Sequence, residues 1–345
     1  MIKITKNSKI YIFAPANACT GGPEYLHQLG KGLKDLGHDV FMYYIPTDNP
    51  VLIHEEYKHY RIPFTNKVEN TSNNIIIIPE LYDYITLLKN IDKTQKIILW
   101  LSVDNFCISF FLIKYKILVI IIRIINKITK YIIKKQIINL NNLALKTKNN
   151  FDLINKLNIN LHLAQSEYAK QFLQNKGVKN IEYLFDYINN DEKIIHNIKK
   201  DIVLFNPKKG IEFTKKIIRK APQINFVPIE NMNHDEVIKL MKKSKVYIDF
   251  GNHPGQDRMP REAALYDCCI ITGRKGSASY FKDVSIPDKY KFEDKKYLIP
   301  QIIKTIEQCL TNFDLESKNF NSYRNIIKNS KINFDKQLKN IFKIE

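Results

Sequence analysis

Short apolar runs alternate with stretches of helical periodicity along most of the chain. Most of these runs are continuous rather than alternating, as is typical of parallel strands that are covered on both faces. The pattern predicts ten strands, at 9–15, 39–45, 74–80, 96–102, 161–166, 180–185, 201–207, 224–230, 245–251 and 269–273.

Amphipathic helices are predicted between many of these strands. In 23–37 the apolar residues lie about one helical turn apart, and in 233–244 Asn233 and Glu236 have the spacing of a capping box. The repeated alternation of strand and helix predicts a doubly wound α/β architecture. Because the alternation restarts after a polar, charged break at 189–200, we expect two domains, at 1–190 and 200–315.

The segment 110–135 of the first domain is basic and amphipathic. Its longest uninterrupted apolar run, Ile117–Ile122, is far shorter than the about 20 residues of a membrane-spanning helix. On a helix its basic residues form one stripe and most of the remaining surface is apolar; the stripe contains Lys116, Arg123, Lys127, Lys130 and Lys134. This pattern favours a helix that lies on an anionic bilayer. The alternative is a helix packed in the domain, with lysines that extend their ammonium groups into water.

The net charge narrows the range of partners. The 345 residues include 54 Lys and Arg against 35 Asp and Glu, a formal charge of +19, and residues 101–150 contain nine basic residues and one acid, Asp104. A net positive charge of this size favours binding to nucleic acid, to phosphate-bearing substrates or to an acidic membrane surface. A nucleic-acid-binding protein remains an alternative. Against it, the charge is concentrated on an apolar helix and is not interleaved with exposed aromatic residues.

The five cysteines are scattered, odd in number and without the spacing of metal ligands. We therefore expect free thiols in a reducing compartment, with Cys268 and Cys269 in the core. The N-terminus enters a polar stretch and then a strand, with no visible signal peptide. Together these features predict a cytoplasmic protein.

The first strand–loop–helix unit, 9–45, carries a Gly21-Gly22 turn before Pro23. The exposed N–H groups of a helix start can face an anionic ligand, so Gly22 is a candidate binding residue. The nicotinamide fingerprint G-x-G-x-x-G is absent, which argues against a dehydrogenase. With the GHDV that ends its helix, this unit resembles the GT-B glycosyltransferases; the alternative is a generic Rossmann-like unit.

The second domain opens with a strand that runs into Asn206, two lysines and Gly210 before a helix. A helix N-terminus with two lysines is suited to a diphosphate. The pair Lys209-Gly210 resembles the Lys-Gly that follows the first strand of the second domain in retaining GT-B enzymes. The resemblance implies that Lys209 contacts the donor diphosphate; the alternative is a solvated lysine pair.

The loop and helix that follow the strand 245–251 carry the strongest resemblance. The run PGQDRMPREAALYDCCII is similar to the donor-binding motif of the large family-4 type of GT-B glycosyltransferases. This implies that Glu262 holds the donor ribose hydroxyls. The first Glu of the family motif is replaced by Pro254, so retention or inversion of the anomeric configuration stays open. His253 and Arg258 stand nearby as candidates for catalysis and donor binding, and Arg261 is expected at the surface.

Two further loops complete the predicted site. Gly276 and Ser277 resemble the small-residue loop after the next strand of the same family, where backbone N–H groups approach a phosphate. In the first domain Asp104 follows a strand and is a candidate general base for an acceptor hydroxyl; the alternative is an Asp that caps a helix. Because ligands bind at the carboxyl ends of parallel strands, all these loops are expected to line a central cleft between two sheets.

The resemblance implies a GT-B architecture of two Rossmann-like domains, with C-terminal helices at 316–345 that pack back on the first domain. It predicts a hexosyltransferase that moves a sugar from a nucleotide-sugar donor to an acceptor hydroxyl without a protein-bound metal or other cofactor. The basic stripe suggests a glycan or lipid-linked acceptor in surface polysaccharide assembly and a location at the inner face of the membrane, with no nucleic acid as partner. The alternatives are a sugar-nucleotide epimerase of the same fold and an inactive scaffold.

Overall fold

The computed structural model describes residues 2–134, 137–189 and 198–344. Lys135, the last residue of the predicted basic segment, and 190–197, in the predicted polar break, lie outside the described residues. The chain forms two compact units. Unit 1 comprises Met1–Gln165, Ala169–Leu184 and Lys336–Glu345. Unit 2 comprises Ser166–Tyr168 and Phe185–Asp335.

Unit 1 is built on a six-stranded sheet in the order β2-β1-β3-β4-β5-β6. Its strands are β1 (Lys9–Pro15), β2 (Asp39–Ile45), β3 (Ile75–Pro79), β4 (Gln95–Trp100), β5 (Leu161–Ala164) and β6 (Ile181–Tyr183). Every neighbouring pair is parallel. Unit 2 has a five-stranded sheet in the order β11-β10-β9-β7-β8, also parallel throughout. Its strands are β7 (Lys200–Phe205), β8 (Asn225–Pro228), β9 (Ser244–Asp249), β10 (Cys269–Gly273) and β11 (Lys291–Phe292).

Helices separate most of these strands. Those up to Asn175 are α1 (Gly21–Asp35), α2 (Tyr82–Leu87), α3 (Val103–Lys114), α4 (Lys116–Ile133), α5 (Leu140–Lys146), α6 (Asp152–Lys156) and α7 (Glu167–Asn175). The helices from Ile211 onward are α8 (Ile211–Lys220), α9 (His234–Lys243), α10 (Arg258–Leu265), α11 (Ile299–Thr311), α12 (Phe313–Glu316), α13 (Asn321–Lys328) and α14 (Ser330–Ile341).

The ten predicted strands are all present. Their continuous apolar runs form strands of parallel sheets that are covered on both faces. Residues 75–78, four isoleucines, are fully buried, as are the central residues of β9 and β10. The two-residue β11 has no comparable apolar run and was not predicted. Cys268 and Cys269 are buried as expected, and all five cysteines are free thiols.

The basic segment is a pair of helices rather than one. The backbone leaves the helical region at Tyr115, between α3 and α4. Four basic residues of the stripe, from Lys116 to Lys130, lie on α4, and Lys134 follows it with left-handed backbone. Among the described residues, no helix combines the length and the apolar composition that crossing a membrane requires.

The C-terminal region is divided between the two units. Residues up to Asp335 belong to unit 2, and those from Lys336 onward belong to unit 1. There the ring of His38 hydrogen-bonds the carbonyl oxygen of Phe342 at 2.9 Å.

The loops after β7, β9 and β10 approach one another so closely that there is no room for a Cβ atom at the points of contact. In the sheet of unit 2 the chain order reverses between β7 and β9, a switch point at which open α/β sheets bind ligands. A Cβ on Gly210 would lie 2.4 Å from the backbone of Phe250, and one on Gly251 would lie 2.4 Å from the Cβ of Lys209. On the other side, a Cβ on Gly276 would lie 2.0 Å from the carbonyl oxygen of His253. Glycine therefore permits the three loops to meet.

We predict that Gly276→Ala lowers the free energy of unfolding by about 3 kcal/mol or more, because left-handed backbone strain adds to overlap with the His253 carbonyl. Gly37→Ala is the matched control, since Gly37 also has positive φ but no atom near its Cβ position; its expected cost is about 1–2 kcal/mol. Urea unfolding followed by circular dichroism measures both. Equal losses in the two variants would contradict the close approach of the loops.

Candidate functional site

Most of the residues predicted for donor binding or catalysis lie together in unit 2, on or next to the loops that follow β7, β9 and β10. They are Asn206, Lys209, Gly210, His253, Arg258, Glu262, Gly276 and Ser277. The other two predicted residues, Gly22 and Asp104, belong to unit 1.

Lys209 joins the loop after β7 to the loop after β9. Its Nζ atom lies 2.7 Å from each carboxylate oxygen of Asp257, the residue before α10. Both side chains are partly exposed, so the ion pair contributes at most about 1 kcal/mol to stability. Its main consequence is positional: the ammonium is held at the switch point of the sheet.

Asn206 shapes the turn that presents Lys209. Its Oδ1 atom accepts a hydrogen bond from the backbone N–H of Lys208 at 2.9 Å, a local bond that is typical of Asn in turns. Its Nδ2 atom donates to the sulfur of Met259 at 3.4 Å. Gly210 then precedes α8 as its N-cap, with left-handed backbone, and as a glycine it has no side chain that could cover the first N–H groups of the helix.

His253 lies fully buried between two carboxylates. Its Nε2 atom is 3.6 Å from Asp249 and its Nδ1 atom is 3.3 Å from Asp257. Burial lowers the pKa of His253, but the facing carboxylates outweigh burial and raise that pKa above its usual value. Burial in turn raises the pKa of Asp249, and the imidazole and the backbone N–H of Gly251 outweigh it, so that the pKa is lowered. The ring thus lies between two carboxylates that favour its protonation, and one of them, Asp257, also binds the ammonium of Lys209.

The side chains of Asp249, His253 and Asp257 also have the composition of a metal site, and their ligand atoms lie within 4.8 Å of one another. One contact argues against a divalent cation at this position. The ammonium of Lys209 already occupies both oxygens of Asp257. We interpret the cluster as a charge network that holds Lys209.

Glu262, the fifth residue of α10, is buried at 6% exposure with two cationic neighbours. Its Oε1 atom lies 3.4 Å from Nε2 of His234 and 3.5 Å from Nε of Arg258. Burial raises the pKa of Glu262, but these neighbours outweigh burial and the pKa is lowered. The pKa of His234 is raised, chiefly by its hydrogen bond to Glu262. Glu262 is therefore an ionised carboxylate at neutral pH.

Gly276 and Ser277 support the loop after β9. The backbone N–H of Ser277 donates to the carbonyl of His253 at 2.8 Å, and its hydroxyl donates to the carbonyl of Gly255 at 2.6 Å. Ser277 is fully buried. These bonds hold the loop that carries His253, and the predicted contact of Gly276 and Ser277 with a phosphate stays a prediction.

Arg261 is buried, and the expectation of a surface position was wrong. Its guanidinium lies 2.8 Å from the carboxylate of Asp186, and both side chains are almost inaccessible to solvent. The helical periodicity of the motif places Arg261 on the face of α10 that packs inward. A buried charge of this kind is tolerated only with a partner, here supplied from a distant part of the sequence.

In unit 1 the two predicted residues lie at the carboxyl ends of strands. Asp104 is in the first turn of α3, a position where the helix dipole stabilises a carboxylate, and it is largely buried. Gly22 is in the first turn of α1, where a Cβ would lie 3.5 Å from the side chain of Leu101. Both therefore lie close to the turn between β4 and α3.

Glu80 lies at the same edge and was missed in the sequence. It follows β3, is almost fully buried, and accepts a hydrogen bond from the backbone N–H of Leu101 at 3.0 Å. Burial raises the pKa of Glu80 to about 7, although the backbone hydrogen bonds oppose this shift. The signal in the sequence is an acid that follows four isoleucines and one proline. For Asp249 the signal was similar, an acid at the end of an apolar run four residues before His253. His234 gave no signal in the sequence.

We predict that His253→Gln destabilises the protein by about 3 kcal/mol at pH 6, because one member of a buried charge network is removed. The pKa of His253 is higher in the folded protein than that of an ordinary histidine, so its protonation stabilises the fold. This stabilisation is fully present below the ordinary His pKa and is lost as the pH rises through the pKa of the folded protein. The difference between wild type and variant should therefore shrink towards pH 9.

Urea unfolding at several pH values measures this difference. His59→Gln, at an exposed histidine of unit 1, is the control, and we expect little effect from it. A loss that is the same at pH 6 and pH 9 would show that His253 is not protonated in the folded protein.

No protein-family model and no curated protein matches the sequence. Solved structures do match. The chain resembles sucrose-phosphate synthase from Thermosynechococcus elongatus with a TM-score of 0.61 at 11% identity, over 97% of this chain and 98% of that chain. It resembles Anabaena HepE, solved in complex with UDP, with a TM-score of 0.54 at 10% identity, over 97% and 99%.

TarM from S. aureus matches 80% of this chain with a TM-score of 0.53 at 15% identity, and the match spans 56% of the TarM chain. At these identities the likeness concerns the fold. The parallel sheets of six and five strands agree with it, and the predicted fold class is confirmed. The chain has the GT-B fold, with two Rossmann-like domains.

Proposed function

We propose that this protein is a glycosyltransferase that moves a sugar from a nucleotide-sugar donor to an acceptor hydroxyl. The observation that carries the proposal is the juxtaposition of Lys209 and Glu262 at the switch point of the sheet in unit 2. An ammonium and an ionised carboxylate are presented there by adjacent strands, at the edge where open α/β sheets bind ligands.

The donor is proposed to lie across this edge with its ribose towards Glu262. An ionised carboxylate accepts two hydroxyl donors in strong, directional hydrogen bonds. His234 and Arg258 contact the same Oε1 atom at 3.4 and 3.5 Å, and so keep the carboxylate ionised and oriented. The adjacent loop then reaches the diphosphate.

The diphosphate is proposed to lie between Lys209, Arg258 and the first N–H groups of α8. These groups would offset the negative charge that develops on the departing nucleotide, without a metal ion. Asp257 binds Lys209 through at most two of its three ammonium protons, so one proton is left for a phosphate oxygen. His253 acts through Asp257 and is a positioning residue in this arrangement.

The comparisons support a nucleotide donor. HepE was solved with UDP, and sucrose-phosphate synthase is named for a sugar-transfer product. In unit 1 we propose Asp104 as the base for the acceptor hydroxyl, since it lies at the carboxyl edge of the sheet in the first turn of α3.

We further propose that the acceptor is a lipid-linked or membrane-anchored glycan. Helix α4 packs on unit 1 through a narrow face that includes Val119, Ile122 and Asn126. Nine of its apolar side chains are at least 38% exposed: Ile117, Leu118, Ile120, Ile121, Ile124, Ile125, Ile128, Tyr131 and Ile132. An apolar surface of this kind, flanked by a basic stripe, is typical of helices that lie in the interface of an anionic bilayer.

We predict that UDP or another nucleoside diphosphate raises the melting temperature of the wild type, and that Glu262→Gln weakens this binding about 10- to 100-fold. Hydrogen bonds to a charged group contribute about 1.5–3 kcal/mol, which corresponds to this range. A thermal-shift panel of nucleotides and nucleotide sugars measures the affinity and identifies the donor. Glu182→Gln, at an exposed glutamate on β6, should bind like the wild type. No stabilisation of the wild type by any nucleotide would refute the proposed function.

We also predict that the full chain pellets with anionic vesicles and that Ile117→Asp/Ile124→Asp/Ile128→Asp lowers its partition coefficient about 100-fold or more, since each buried Ile contributes about 1.5–3 kcal/mol. These positions lie along the outermost line of α4. Leu315→Asp/Ile326→Asp/Ile332→Asp makes the same change at exposed positions of α12, α13 and α14 and should pellet like the wild type. If the wild type stays in the supernatant, the membrane part of the proposal is lost.

A further inference from the structure

A basic pocket of about 500 Å³ lies on the flank of α4. Three cationic side chains of the helix line one wall, and the chain at 138–141 lines the other. The cations are Arg123, Lys127 and Lys130. None of them makes an ion pair with a described residue, and the sequence has no acidic residue between Asp104 and Asp152. The pocket thus concentrates positive charge that no ion pair among the described residues neutralises.

Asn126 fixes the shape of this pocket. Its side chain is buried and makes two hydrogen bonds with the backbone of Ile138: Nδ2 donates to the carbonyl at 2.7 Å, and Oδ1 accepts from the N–H at 3.0 Å. Asn139 then caps α5 by accepting from the N–H of Asn142 at 3.0 Å. The second wall is therefore held by hydrogen bonds, independently of the three cations.

The pocket has a defined position relative to the apolar surface of α4. At 3.6 residues per turn, Val119, Ile122 and Asn126 form the packed face, and Ile117, Ile124 and Ile128 lie roughly opposite. The basic stripe runs along the flank between these two faces. If the apolar surface lies in a bilayer, this flank is at the depth of the headgroups.

We propose that this pocket binds the phosphate of an anionic phospholipid headgroup. Three cations in a walled recess match the charge and the several oxygens of a phosphate, and the adjoining apolar surface accommodates the acyl chains. The inference rests on the membrane-associated part of the proposed function. It adds that α4 recognises a particular group and so sets the orientation of unit 1 on the membrane.

The test compares vesicles of phosphatidylcholine that contain phosphatidic acid with vesicles that contain oleate, matched for surface potential. The full chain, without nucleotide, should prefer phosphatidic acid several-fold. Arg123→Gln/Lys127→Gln/Lys130→Gln should abolish this preference. Lys114→Gln/Lys116→Gln/Lys146→Gln removes the same charge from neighbouring positions outside the pocket; it should bind both kinds of vesicle more weakly and keep the preference.

A second variant separates shape from charge. Asn126→Ala keeps all three cations but removes the two hydrogen bonds that hold the second wall, so it should also lose the preference while its circular dichroism stays that of the wild type. Equal binding of the wild type to both kinds of vesicle would overturn the proposal, as would a preference that survives both pocket variants. Equal vesicle binding together with binding of glycerol 3-phosphate in solution would assign the pocket to a soluble phosphate instead.

The nucleotide thermal shift distinguishes the two proposals, since the proposed donor residues Lys209, Arg258 and Glu262 belong to unit 2 and the pocket belongs to unit 1. The pocket variants should keep the wild-type shift. If no nucleotide binds but the phosphatidic acid preference is lost in the pocket variants, the donor site is refuted and the lipid site stands.

Discussion

The close approach of three backbone loops is the constraint on which the candidate donor site depends. Loops that follow neighbouring strands can only come as near as their Cβ atoms allow, and Gly210, Gly251 and Gly276 remove that limit around the central loop. The loop after β9 is contacted on both sides: Gly210 lies against Phe250, and Gly276 lies against His253. As a result Lys209 and Glu262, which are 53 positions apart in the sequence, are presented at one edge of one sheet.

The charges at this edge are organised around a buried histidine. A protonated imidazole without a partner is unfavourable in a protein interior, whereas here carboxylates face both ring nitrogens and raise the pKa of His253. One of these carboxylates, Asp257, also holds the ammonium of Lys209. The network therefore places a positive charge at the switch point before any ligand arrives, which reduces the reorganisation that binding requires. Buried Arg261 and Asp186 anchor the helix that carries Arg258 and Glu262.

Unit 1 uses its surface differently. Helix α4 is packed through a narrow face, and its remaining surface combines exposed isoleucines with cations that make no ion pair with the part of the chain that the structure describes. Such a surface is costly in water and becomes favourable at an anionic bilayer.

Much of the fold follows from the sequence by itself, because short continuous apolar runs that alternate with amphipathic stretches are typical of parallel strands covered on both faces. The strands 9–15, 39–45 and 269–273 were predicted to the residue, and the three loops with Lys209, Glu262 and Gly276 were recognised by resemblance. Other features depend on contacts between distant parts of the chain, which local patterns do not encode. Asp186 supplies the partner that lets Arg261 be buried, and Asp249 raises the pKa of buried His253. The hydrogen bonds of Asn126 to Ile138 build a pocket that a helical stripe alone does not predict. Local periodicity thus determined the elements, whereas burial and electrostatics across the tertiary structure decided the state of each functional side chain.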